Sequence, residues 1–142
     1  MSVTAVAGIK PNHQQALRLL TAMALAVDSY LHFTLALNYD PSRSSTGQGN
    51  VFIVEAFAAG GAAIAVLMSR RGFGISLGLM VAASSLAASV IYRYAGIGDL
   101  AAIPSMFRPT WYPQAALSVL VEAAAMTTAL AALLPRRAKA VK

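Results

Sequence analysis

Four apolar runs, residues 15–37, 51–68, 73–94 and 113–134, dominate the sequence. Each is long enough to cross a hydrocarbon core, which takes about 20 residues. Between and beyond them lie most of the charges, and these make up only 11% of the 142 residues. A soluble domain carries roughly a quarter, so this chain cannot cover a globular surface with polar groups. The pattern predicts an all-α membrane protein, one four-helix transmembrane bundle in a single domain, in contact with the lipid bilayer.

The net charge of +6 does not indicate a nucleic-acid partner, because the basic residues cluster at the ends of apolar runs. Orientation in a membrane explains them better. The chain has no cysteine, which excludes disulfides, thiolate metal sites and cysteine nucleophiles. Residues 17–26 have the look of a short signal h-region ending in Ala24-Leu25-Ala26, but the run continues to Leu37, as a spanning helix does.

Helix punctuation marks the ends of the runs. Asn12 and Gln15 have capping-box spacing, and Asn50 is placed to cap the second helix. Pro113 suits the first turn of the fourth, and Pro135 ends it. The basic turn at residues 69–72 predicts an antiparallel hairpin of the second and third helices. Lys10, Arg18, Arg70, Arg71, Arg136, Arg137, Lys139 and Lys142 fall on one side of a four-span chain, against Arg43, Arg93 and Arg108 on the other. This bias predicts both termini in the cytoplasm of a plasma-membrane protein. Tyr39, Phe52, Tyr92, Tyr94, Phe107, Trp111 and Tyr112 form an aromatic belt at the outer ends. Of the outer loops, 38–50 is polar, whereas 95–112 is apolar enough to fold over the bundle mouth or onto a partner.

Small residues predict close packing. Gly60 and Gly61 lie in "AFAAGGAAIA", Gly74 and Gly78 form a GxxxG, and Ser85 and Ser89 repeat that spacing. These faces suit either neighbouring helices or another subunit. "GFGISLG", residues 72–78, opens a membrane helix and follows no strand, so it is packing rather than a phosphate loop.

The ionisable residues inside the spans are the candidate site. Counting from the outer ends puts Asp28 and Glu122 together near the midplane, His32 and Glu55 nearer the outside, and Arg93 at the outer mouth. Asp28 and His32 share a helix face at i,i+4. An ionised carboxylate in hydrocarbon costs several kcal/mol, so two neighbouring acids retain their charges only with a proton or cation between them. Three roles follow: hydrogen bonding between helices, a metal site on Asp28, His32, Glu55 and Glu122, or a proton pathway through the same residues. One histidine with carboxylates suits zinc, manganese or iron. The paired Glu-x-x-His motifs of di-iron bundles are absent. Haem would need a second intramembrane histidine, and His13 precedes the first span. No nucleophile–base set is present, so nothing calls for an enzyme, and no cofactor beyond a possible metal ion is expected.

"LHF" in the first helix, "NVFIVEAFAAGGAAIAVL" as the second and "ALSVLVEAAA" in the fourth give the chain a family look over residues 22–134. It resembles small four-span membrane proteins of actinobacteria and, more faintly, the DoxX-like four-helix proteins. The resemblance implies the fold and a plasma-membrane address without implying a reaction. Size and small-residue faces favour a non-enzymatic accessory subunit of a larger membrane complex, respiratory or envelope-related, or a homo-oligomer. The alternative is a self-contained bundle that binds or translocates a proton or metal ion.

Overall fold

A computed structural model describes residues 12–38, 48–69, 72–95 and 111–134. These form α1 (His13–Leu37), α2 (Gln48–Met68), α3 (Phe73–Tyr94) and α4 (Pro113–Leu133), with no strand among the described residues. All four are long and apolar enough to cross a membrane. The connections 39–47 and 96–110, the arginines at 70 and 71 and the tail from 135 lie outside the described residues. So do the expectations that rest on Lys10, Arg43, Arg108, Tyr39 and Phe107.

Local chemistry explains most helix ends. Asn12 is extended and its Oδ1 accepts from the Gln15 N–H at 2.9 Å, while Gln15 Oε1 accepts from the Asn12 N–H at 3.1 Å. This reciprocal bonding satisfies two donors that a helix start otherwise strands. Pro113 occupies the first turn of α4, where no intrahelical N–H is needed. Leu134 is extended, as the residue before a proline tends to be. Asn50 is not a cap. Because α2 begins at Gln48, Asn50 lies inside its first turn, where helical backbone removes the extended geometry an N-cap requires.

The helices pack in the cyclic order α1–α2–α3–α4, with α1 also touching α3 across the diagonal. Successive helices are antiparallel. α1 and α3 finish, and α2 and α4 begin, at what is termed here the distal end. The packing inverts that of a soluble bundle. Ala59, Ala82, Ala125 and Ala129 are fully buried, whereas Phe57, Met68, Phe73 and Tyr94 are more than 70% exposed. Lipid tails solvate large apolar side chains as well as a protein core does, so close approach of small residues drives association instead.

The glycines divide on this point. A Cβ at Gly74 would collide with the Ala65 carbonyl, 2.7 Å from its carbon and 2.9 Å from Ser69 Cβ. At Gly78 it would meet Val66 Cγ2 at 3.0 Å and Leu25 Cδ1 at 3.1 Å, and at Gly60 it would meet Ser29 Oγ at 3.0 Å. Gly61 has nothing within 4 Å and faces outward. Three of the four glycines therefore serve packing within the chain.

Polar side chains tie the helices. Ser29 Oγ donates to the Ala56 carbonyl at 2.7 Å, joining α1 to α2. Thr21 Oγ1 and Thr128 Oγ1 are 2.9 Å apart, joining α1 to α4. Arg18 donates to the carbonyls of Val66, at 2.6 Å, and Ser69. Its guanidinium thereby supplies donors to carbonyls at the end of α2, and its charge favours that end of the helix dipole.

Candidate functional site

The side chains of Asp28, His32 and Glu122 meet inside the bundle, at 1%, 6% and 0% residue exposure. His32 Nδ1 lies 3.1 Å from Asp28 Oδ1 and 3.1 Å from the Asp28 backbone carbonyl. Both partners only accept, so Nδ1 is the donor. In the neutral imidazole Nε2 is then a lone-pair acceptor, and it faces Glu122 Oε1 at 3.9 Å. One ligand atom from each of the three residues lies within 4.8 Å of the others.

Three serines surround Glu122. Ser85 Oγ donates to Glu122 Oε1 at 2.7 Å, and Ser89 Oγ and Ser118 Oγ lie 3.3 Å from the same oxygen. Ser118 is also 3.3 Å from Asp28 Oδ1, but its single hydroxyl proton serves only one acid at a time. The bonding is lopsided: Asp28 Oδ2 and Glu122 Oε2 are buried with no hydrogen-bond partner. Bare buried carboxylate oxygens are costly, and an ion is one of the standard explanations for them.

Above this centre, a cavity of about 230 Å³ opens toward the distal end. His32, Glu55, Ser85 and Ser118 contribute to its polar lining, and Phe52, Leu35 and Val119 to its apolar walls. The rim includes Tyr92, Tyr112 and Arg93, whose guanidinium carbon sits 4.1 Å from the centre of the Trp111 ring. Phe52 packs against the His32 ring, with centroids 6.0 Å apart.

The structure thus joins Asp28, His32 and Glu122 but leaves Glu55 apart from that group, in the cavity wall near Ser85. Counting depth along the helices pairs His32 with Glu55. Both do line the cavity, and Glu55 feels the His32 charge; His32 nevertheless makes its close contacts with Asp28 and Glu122, because helical side chains lean toward their own N-termini. On α1 that lean carries His32 down to Asp28. On the antiparallel α4 it carries Glu122 up to His32, and on α2 it carries Glu55 up into the cavity. Arg93 lies at the rim, as its position near the end of α3 implies. Gly60, Gly74 and Gly78 are packing positions outside the centre.

The serines carry a role beyond the packing their spacing implies. Ser85 and Ser89 read as a small-residue repeat, yet their hydroxyls serve Glu122. Ser118 precedes Glu122 by one helical turn, the same i,i+4 spacing that flags Asp28 and His32, and that spacing is its signal in the sequence.

Chemically, the centre offers an imidazole oriented by a carboxylate and a carbonyl, with its second nitrogen turned to another carboxylate. Metal-binding histidines are held in this way. No family model, curated protein or solved structure matches the chain.

Proposed function

We propose that this four-helix membrane protein holds a divalent transition-metal ion between His32 Nε2 and Glu122, with Asp28 as further ligand or as the group that orients His32. The observation that carries this reading is the free lone pair of His32 Nε2 facing the buried Glu122 carboxylate, 3.9 Å from its Oε1, beside Glu122 Oε2 and Asp28 Oδ2, which have no hydrogen-bond partner. Among the described residues the serine hydroxyls reach Oε1 but none donates to Nε2, and a cation between the two would offset their repulsion. The separation is too long for a hydrogen bond and near the spacing of two ligands that share one ion at about 2.0–2.2 Å from each. Mixed imidazole and carboxylate donors suit zinc, manganese or iron. Water from the cavity supplies the remaining positions, and the serine hydroxyls orient the carboxylates. The Lys and Arg bias favours a plasma-membrane location with both termini cytoplasmic, so that the distal end faces outward.

The test is metal analysis of protein purified in mild detergent, as isolated and after exposure to Zn²⁺, Mn²⁺ or Fe²⁺. Wild-type protein should hold about one ion per chain. His32→Gln and Glu122→Gln should abolish binding, and Asp28→Asn should weaken it by about 10–100-fold. Wild-type protein that takes up none of the three ions would refute the metal reading and leave a proton between His32 and Glu122.

A second reading, an accessory subunit of a larger membrane complex or a homo-oligomer, is favoured by the outward face of α2. Gly61 is open there, with nothing within 4 Å, so it offers a small-residue face that a helix of another chain can approach closely. Mass spectrometry of the native complex tests it: a stoichiometric partner supports it, and isolation as a lone chain sinks it.

A further inference from the structure

The cavity ends at the centre. Immediately proximal to Asp28, the bundle closes. Leu25, one turn earlier on the same face of α1, meets Val66 and the bare backbone of Gly78. A single Cβ at Gly78 would lie 3.0 Å from Val66 and 3.1 Å from Leu25. Leu25, Ala62, Val66, Ala82 and Ala125 are at most 1% exposed and belong to one apolar cluster. One turn below Leu25, the Thr21–Thr128 contact adds a further tie. An apolar layer packed at this density gives water and ions no polar partner and no room.

We infer that the ion enters and leaves this centre only from the distal end, through the cavity, and that the protein retains the ion rather than conducting it across the membrane. This rests on the metal reading for the identity of the ion; the route rests on the packing alone. Glu55 stands on the route. It lines the cavity wall between the rim and the centre, where its carboxylate adds negative charge to the path of an incoming cation. A carrier of the usual kind exposes its site alternately to both sides, commonly through broken helices. All four helices here are continuous across their described spans.

The absence of native cysteine makes a direct test available. Ala115→Cys, in the cavity wall, and Ala62→Cys and Ala82→Cys, in the apolar layer, are each exposed to a membrane-impermeant methanethiosulfonate from one face and then from the other. Cysteine at 115 should be modified from the distal face only, and cysteine at 62 or 82 from neither. In proteoliposomes of defined orientation, EDTA should remove metal from the distal face alone. Modification of Ala62→Cys or Ala82→Cys, or of Ala115→Cys from both faces, would overturn the inference, as would stripping by EDTA from the proximal side. Val119→Cys samples the same wall should Ala115→Cys fail to fold. Labelling needs no bound metal, so a metal-free wild type would refute the proposed function while the labelling pattern still decides the route.

Discussion

Adding one methyl group at Gly74 tests how the bundle is held together. In Gly74→Ala the new carbon would lie 2.7 Å from the Ala65 carbonyl carbon and 2.9 Å from Ser69 Cβ, where ordinary contacts begin at 3.4 Å. The obstacle is mostly backbone. The Ala65 carbonyl already accepts the Ser69 N–H at 2.9 Å and cannot rotate away without opening the end of α2. The carbonyl oxygen is the nearest obstacle, so relief requires α2 and α3 to separate by roughly an ångström. Overpacking of this kind costs about 1–3 kcal/mol, and the gain in helix propensity from Gly to Ala returns at most about 1 kcal/mol. A net loss of about 1–2 kcal/mol is expected. Gly61→Ala supplies the control, since it meets nothing within 4 Å and should be neutral or stabilising by up to about 1 kcal/mol. The two variants add the same atom, yet their stabilities should differ by about 2 kcal/mol, roughly a 30-fold difference in folding equilibrium. The assay is unfolding of purified protein in mixed micelles by increasing SDS, followed by helicity and by the fluorescence of the single tryptophan, Trp111. Equal stability of the two variants would refute the close-packing account. Because the contacts of Gly74 are with its own chain, the loss should appear in isolated protein without any partner.

Two further outcomes follow from the polar contacts. Thr21→Val and Thr128→Val preserve shape and remove the 2.9 Å tie between α1 and α4. A double-mutant cycle in the SDS assay should return a coupling of about 0.6 kcal/mol, the usual size of such bonds in a bilayer, and a coupling of zero would discard the tie. Ser85→Ala removes the shortest of the serine hydrogen bonds to Glu122, at 2.7 Å. It should weaken metal binding by about 10–100-fold while leaving the helical content intact; unchanged affinity would show that Ser85 does not position Glu122.

Hydropathy and helix spacing carried the coarse architecture. A run of about 20 apolar residues in a bilayer has to be helical, because only a helix satisfies its own backbone there. The Asn12–Gln15 cap and the stop before Pro135 are equally local, each decided by residues within one turn. Asp28 and His32 were legible as a pair for the same reason, since i,i+4 spacing fixes one face whatever the surroundings.

Everything that depends on two helices meeting was decided by the tertiary structure. Sequence order fixes neither which helix faces which nor how far a side chain leans along its axis. The antiparallel alternation turns that lean into opposite directions on neighbouring helices, bringing His32 to Glu122 and sending Glu55 into the cavity. Neighbour placement also separates the glycines: Gly60 and Gly61 are adjacent but point about 100° apart on α2, and α1 covers only one of those faces, so one meets Ser29 and the other meets nothing. It also makes Ser85 and Ser89, small enough to pass for packing residues, hydroxyl neighbours of a buried acid. A residue type and its spacing specify what chemistry is available on a helix face; the neighbouring helix supplies the other half of the site.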